Sequence, residues 1–138
     1  MLRFVLLAVP LAVLVLALAA VGADLVGFGP ELDALAQRGV ARPEGLPHTF
    51  QAAAFLFEGI ALVALYLLLE GRTGLWWLDG VATGFAAWLF RGPLLVLTIA
   101  ALTRLPTEPF WQVARLALIA EPAAGLAIAA LFRAGRRA

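Results

Sequence analysis

Three charged side chains, Glu58, Arg91 and Glu121, fall near the middle of three different long apolar stretches. An ionised side chain at the centre of a bilayer costs roughly 3 kcal/mol on insertion scales. A helix rises about 1.5 Å per residue, which places each of the three roughly 13–18 Å from a membrane face. Three stretches that agree on depth predict that two acids and one base meet inside a helix bundle and form a ligand or proton site.

The charge balance of this cluster indicates what the site would hold. One Arg and two Glu leave a net charge of −1 when all three groups are ionised, and a low-dielectric interior penalises that state. Either one Glu takes up a proton or a cation occupies the site. We expect one of Glu58 and Glu121 to be protonated at neutral pH. Arg91 would hold the other, because its planar guanidinium matches a carboxylate.

Small residues flank the cluster, as is typical of helices that pack closely inside membranes. Seven-, four- and three-residue spacing predicts that the flanking residues are Gln51, Ala54 and Ala61 beside Glu58, Gly84, Ala87, Trp88 and Thr98 beside Arg91, and Ala114, Ala117, Ala124 and Gly125 beside Glu121. The residues expected to surround the site as second contacts are Gln51, Trp88, Thr98 and His48. Pro93 and Pro122 each remove a backbone donor next to the cluster, which frees a carbonyl at mid-depth.

The amino acids that are missing exclude several kinds of chemistry. The 138 residues include no Cys, Ser, Asn or Lys, and His48 is the single histidine. A chain without Cys forms no disulfide and no thiolate metal site, and without Ser or Cys it lacks the usual acyl-transfer nucleophiles. One His cannot supply two axial haem ligands or a polyhistidine zinc site. We therefore expect no metal and no cofactor, and the sequence assigns no catalytic residue.

The composition is that of an integral membrane protein. Hydrophobic residues make up 64% of the chain and charged residues 14%, against about 45–50% and about 25% in soluble domains. Crossing the hydrocarbon core takes about 20 apolar residues. Four stretches qualify: 4–26 (a retained helix rather than a signal peptide), 49–69, 75–102 and 110–132. The short connections 70–74 and 103–109 predict an all-α, single-domain, antiparallel bundle of four transmembrane helices.

The connections and tails supply the remaining expectations. Residues 27–47 carry the signals of a short helix at 30–38, on the membrane surface or over the bundle, with a solvated loop as the alternative. Asp79 and other charges near predicted helix ends should be solvated. One side of the bundle holds Arg3, Arg72, Arg133, Arg136 and Arg137, and the other holds Arg38, Arg42 and Arg104. The positive-inside rule therefore predicts the cytoplasmic membrane with both termini cytoplasmic.

Three functional interpretations remain open. The favoured one is the binding or transport of a proton, a cation or a small polar ligand at the cluster. In the second, the cluster locks the bundle of an accessory subunit in a larger membrane complex. In the third, the glutamates act as acid and base on a lipid, quinone or isoprenoid. The net charge of +1 without a basic patch predicts no nucleic-acid partner. The expected partners are the lipid bilayer and a homo-oligomer or larger membrane complex.

Overall fold

The structure, a computed structural model, describes residues 2–23 and 48–136, and all the regular elements in these ranges are helical. They are α1 (Leu2–Ala23), α2 (His48–Leu69), α3 (Trp76–Leu89), a π turn (Phe90–Leu94), α4 (Leu95–Leu102) and α5 (Glu108–Gly135). Four segments are long and apolar enough to cross a membrane, the third being α3, the π turn and α4 in succession. The prediction of a helical chain with four candidate spans is confirmed. The helix predicted at 30–38 lies outside the described residues.

The third span differs from the single regular helix predicted over 75–102. Its helix type changes at the π turn, which contains Arg91 and Pro93. Pro93 has no backbone N–H and cannot complete the regular bond to the carbonyl of Leu89, so the backbone widens locally. In α5, by contrast, the helix continues through Pro122 without a change of type.

Helix α5 is the central element of the described structure, since it contacts α1, α2, α3 and the π turn. The core between α1, α2 and α5 consists of apolar side chains with few polar atoms. Its most completely buried members are Ala8, Ala12, Leu62, Tyr66, Ala124, Ile128 and Ala129. This core holds α5 between α1 and α2 and thereby fixes which of its faces points toward the third span.

The start of α1 lies beside the end of α5, so these two helices run antiparallel. The rings of Phe4 and Phe132 are 6.4 Å apart between centroids. A carboxylate oxygen of Glu70, at the end of α2, lies 2.5 Å from the guanidinium of Arg136. Both ends of the described chain and the 70–75 connection therefore meet at one end of the bundle, which we call the terminal end. A cavity of about 200 Å³ opens there.

Helices α3 and α5 cross with their backbones in direct contact, because glycine occupies the crossing on both sides. A Cβ placed on Gly84 would collide with the carbonyl group of Glu121 and with Pro122. A Cβ on Gly125 would collide in the same way with the carbonyl of Gly80. This crossing places Glu121 directly against α3, and small residues at such contacts are what membrane helix pairs use to approach closely.

We expect Gly84→Ala to lower the free energy of unfolding by about 1–3 kcal/mol, since a methyl group at the crossing must push two backbones apart. The measurement is the melting temperature of the purified chain in detergent. Gly22→Ala is the matched control, because a Cβ at Gly22 has no heavy atom within 4 Å. Equal melting temperatures for the two variants would show that the crossing is not closely packed.

Candidate functional site

Arg91 brings the three predicted residues together. Its Nη1 hydrogen-bonds Oε1 of Glu58 on α2. The same nitrogen lies 3.6 Å from Oε1 of Glu121 on α5, which is beyond hydrogen-bond length but within direct Coulomb range. Two carboxylates from different helices thus converge on one guanidinium nitrogen, and that nitrogen bonds only one of them.

The three side chains differ in how much of their surface is exposed. The exposed fraction is 38% for the Arg91 side chain, 14% for Glu58 and 1% for Glu121. Both carboxyl oxygens of Glu121 are enclosed and lack a hydrogen-bond partner among residues 2–23 and 48–136. The cluster therefore has a closed inner end at Glu121 and an outer end at Arg91 that reaches the surface of the bundle.

Helix α5 encloses Glu121 as its spacing of small residues predicted. Ala114, Ala117, Ala124 and Gly125 share the face of Glu121, and all four are buried. Methyl groups and glycine on this face let α3 and the π turn approach, so no space remains for water beside the carboxyl. The apolar surroundings make an ionised Glu121 without a partner a high-energy species.

Helix α2 presents Glu58 differently from the sequence-based expectation, and that expectation was wrong. Ala54 and Ala61, expected to pack against protein, are exposed. The buried face of α2 instead contains Gly59, Leu62 and Tyr66. Glu58 therefore lies at the edge of the buried face, with a row of small exposed residues beside it. All faces of α2 are apolar, so composition could not reveal which one would meet its neighbours.

The π turn positions Arg91. The wider turn shifts the side chains that follow it relative to those of α3. Gly92, the next residue, is buried with its Cα facing Trp88 and Ala114, which keeps the turn close to α5. Arg91 extends from this turn toward α2 and crosses to Glu58. π turns inside helices occur often at functional sites.

Two of the four predicted second contacts, Trp88 and Thr98, make hydrogen bonds to backbone carbonyls rather than to the cluster. The indole N–H of Trp88 donates to the carbonyl of Ala114 at 2.7 Å and so ties α3 to α5. The hydroxyl of Thr98 donates to the carbonyl of Leu94, also at 2.7 Å, within its own span. For Gln51 and His48, the structure describes only the backbone. The roles proposed for all four therefore remain predictions.

Asp79 is a buried polar residue, and the prediction that its side chain would be solvated was wrong. Only 3% of Asp79 is exposed, although a solvated helix end was expected. Its carboxylate accepts hydrogen bonds from the N–H groups of Gly71 and Thr73, at 2.8 and 3.0 Å, and from the Thr73 hydroxyl at 2.8 Å. Gly71 and Gly74 adopt positive φ angles that turn the loop back over Asp79. Two glycines around a threonine, followed by an acid, were the signal for this turn.

No family model, curated protein or solved structure matches the chain in the three comparisons made. The function must therefore be argued from the geometry of the cluster. That geometry combines one guanidinium, two carboxylates of unequal exposure and a surface opening at Arg91. Such a group can hold one proton and can change which carboxylate the guanidinium neutralises.

Proposed function

We propose that this chain is an integral membrane protein whose Glu58–Arg91–Glu121 cluster binds and releases one proton at mid-depth, in the course of binding or transporting a cation or small polar ligand. The observation that supports this most directly is the enclosed carboxyl of Glu121, whose oxygens have no hydrogen-bond partner among the described residues. Arg91, the cation nearest to it in the described cluster, already bonds Glu58.

The two protonation states of Glu121 differ widely in energy. An ionised carboxylate that is buried without a hydrogen bond costs several kcal/mol. A neutral carboxyl in the same place costs much less, and it leaves Arg91 and Glu58 as a balanced pair. The resting cluster is therefore neutral, with the proton on Glu121, and the site is one step away from releasing it.

The enclosure of Glu121 favours proton exchange over catalysis. A general acid must come within hydrogen-bond reach of the atom that it protonates. Both oxygens of Glu121 are closed off by protein, so a substrate arriving from the bilayer would meet Arg91 first. Proton exchange needs only a small acceptor within hydrogen-bond reach, such as a water molecule that enters when Arg91 turns aside or the carboxylate of Glu58, which converges on the same guanidinium nitrogen.

The placement of the chain in the cytoplasmic membrane, with both termini in the cytoplasm, belongs to the same proposal. Most of the described arginines that lie at or just beyond a helix end are at the terminal end: Arg3, Arg72, Arg133 and Arg136. Arg104 follows the third span at the opposite end. This asymmetry supports the orientation by the positive-inside rule.

Infrared spectroscopy of the purified full chain at neutral pH tests the proposal. A neutral carboxyl gives a carbonyl band that shifts in D₂O and that carboxylates lack. We expect this band in the wild type and its loss in Glu121→Gln. Glu108→Gln is the matched control, because Glu108 is exposed at the start of α5 and its replacement should leave the band intact. A wild-type spectrum without such a band would overturn the proposal.

One observation favours a second candidate, the accessory subunit. Arg91 exposes 38% of its side chain at the surface of the bundle, where a helix of another subunit could cover it. A stable complex with a second membrane protein, lost in Arg91→Met but kept in the control Arg115→Met, would support this alternative. Arg115 is likewise exposed and lies within the fourth candidate span.

A further inference from the structure

The outer end of the cluster opens sideways, between α2 and the third span. Arg91 crosses from the π turn to Glu58, and 38% of its side chain is exposed. Beside Glu58, the side chains of Ala54 and Ala61 are small and exposed. We call this strip of Ala54, Glu58, Ala61 and Arg91 the lateral groove. In a bilayer it would face hydrocarbon rather than water.

The groove meets the requirements of one class of ligand. The cluster beneath it holds two acids and one base, so it complements a single positive charge once Glu121 has lost its proton. The exposed methyl groups of Ala54 and Ala61 present apolar surface to a hydrocarbon chain, and molecules dissolved in the membrane would have access to them. Metal ions fit it poorly, since no group of three His, Cys, Asp or Glu that could hold one is found in the described part of the chain. A small inorganic ion would also pay a large desolvation cost there.

We propose that the lateral groove binds an amphiphilic organic cation, that is, an amine or quaternary ammonium group bearing an apolar chain, in exchange for the proton of the cluster. This inference rests on the proposed function and names its ligand class. Besides the exposed strip, it uses the carboxyl of Glu121, which is 1% exposed, has no hydrogen-bond partner among the described residues and lies next to Arg91.

The exchange requires only a turn of one side chain. Before it, Arg91 pairs with Glu58 and Glu121 carries the proton. The incoming cation takes the place of Arg91 against Glu58, and the guanidinium moves to Glu121, whose Oε1 is 3.6 Å away. The Glu121 O–H bond then breaks, and the proton passes to a water molecule that enters the space left by the guanidinium. The cluster has no net charge either with the proton or with the cation bound, so exchanging one for the other leaves no uncompensated charge in the interior.

Isothermal titration calorimetry of the full chain in a maltoside detergent tests this exchange, with dodecyltrimethylammonium as the probe and neutral 1-dodecanol as its match. Titrations in two buffers of different ionisation enthalpy count the protons released. We expect about one proton per bound cation, and an affinity that rises about tenfold per pH unit while Glu121 stays protonated. Dodecanol should release none. In Glu121→Gln, cation binding should no longer depend on pH.

A matched pair of alanine variants makes the test independent of the ionisable residues. Ala61→Leu fills the groove and should weaken cation binding by about tenfold or more. Ala53→Leu adds the same bulk to another exposed face of α2 and should leave binding unchanged. Neither residue is buried, so both variants should fold.

The possible results separate this inference from the proposed function. If the neutral-carboxyl band is present but the cation releases no proton, or if Ala61→Leu binds it as well as wild type, the cation inference is wrong and the proton site stands. If the band itself is absent, the proposed function fails. A native mass spectrum that shows a second protein chain bound in place of the cation would also overturn the inference. Proton release lost in Glu121→Gln and binding lost in Ala61→Leu would establish it.

Discussion

Replacing Arg91 with Met is expected to lower the free energy of unfolding by about 3–5 kcal/mol. The change removes the guanidinium that contacts Glu58 and lies beside Glu121, and it leaves the carboxylate of Glu58 largely buried without a counter-charge. Thermal unfolding in detergent, followed by circular dichroism, measures the loss. It should be the largest of any single replacement of a charged residue in the described spans.

The pH dependence of this loss has a definite sign. Without Arg91, the interior is neutral only if Glu58 takes up a proton in addition to the one on Glu121, and that uptake becomes easier as the pH falls. The difference in melting temperature between wild type and Arg91→Met should therefore shrink toward acid pH. Arg115→Met, at an exposed position in α5, is the control and should melt like wild type. A loss that is independent of pH would argue against a charge-based role for Arg91.

Replacing Glu121 with Met is expected to do the opposite and to raise the free energy of unfolding by about 1–3 kcal/mol. The two oxygens of Glu121 are buried without a hydrogen-bond partner among the described residues, and each such group carries a desolvation cost of that order. Met has nearly the same shape and removes the cost, while Arg91 keeps its bond to Glu58. The same variant should lose the neutral-carboxyl band and the cation-dependent proton release.

A rise in stability together with a loss of proton release would identify Glu121 as a residue kept for function at the expense of stability. Glu108→Met serves as the control, because Glu108 is exposed and its replacement should change neither property. A marked fall in melting temperature for Glu121→Met would instead mean that the carboxyl makes a stabilising interaction. The cluster would then be a lock that holds the bundle together, as in the accessory-subunit interpretation.

The comparison of α5 with α2 shows why side-chain packing was only partly predictable. Small residues flank Glu121 and Glu58 at the same helical spacings, yet those on α5 are buried, whereas Ala54 and Ala61 on α2 are exposed. Helix α5 is the central helix and is covered on several sides, while α2 lies at the periphery. Spacing shows which residues share a face, but in a helix that is apolar all round it does not show which face meets protein.

The sequence showed where regular helical hydrogen bonding would be interrupted, but not which backbone structure would form there. The absence of a donor at Pro93 was evident in the sequence, and the structure accommodates it as a π turn around Arg91. The equivalent loss at Pro122 leaves α5 helical throughout. The turn over Asp79 depends on the positive φ angles of Gly71 and Gly74 and on hydrogen bonds across six to eight residues. The backbone conformation at each of these positions depends on the residues that pack against it, which composition does not specify.

The sequence by itself determined the four helices long and apolar enough to cross a membrane and the similar positions of Glu58, Arg91 and Glu121 along three of them, because both follow from hydropathy and the rise of a helix. Only the tertiary structure decided that Arg91 bonds Glu58 while lying 3.6 Å from Glu121. It also decided that Glu121 is enclosed, whereas Ala54 and Ala61 beside Glu58 are exposed. Depth is a one-dimensional property of each helix, whereas pairing and enclosure depend on how the helices rotate and cross.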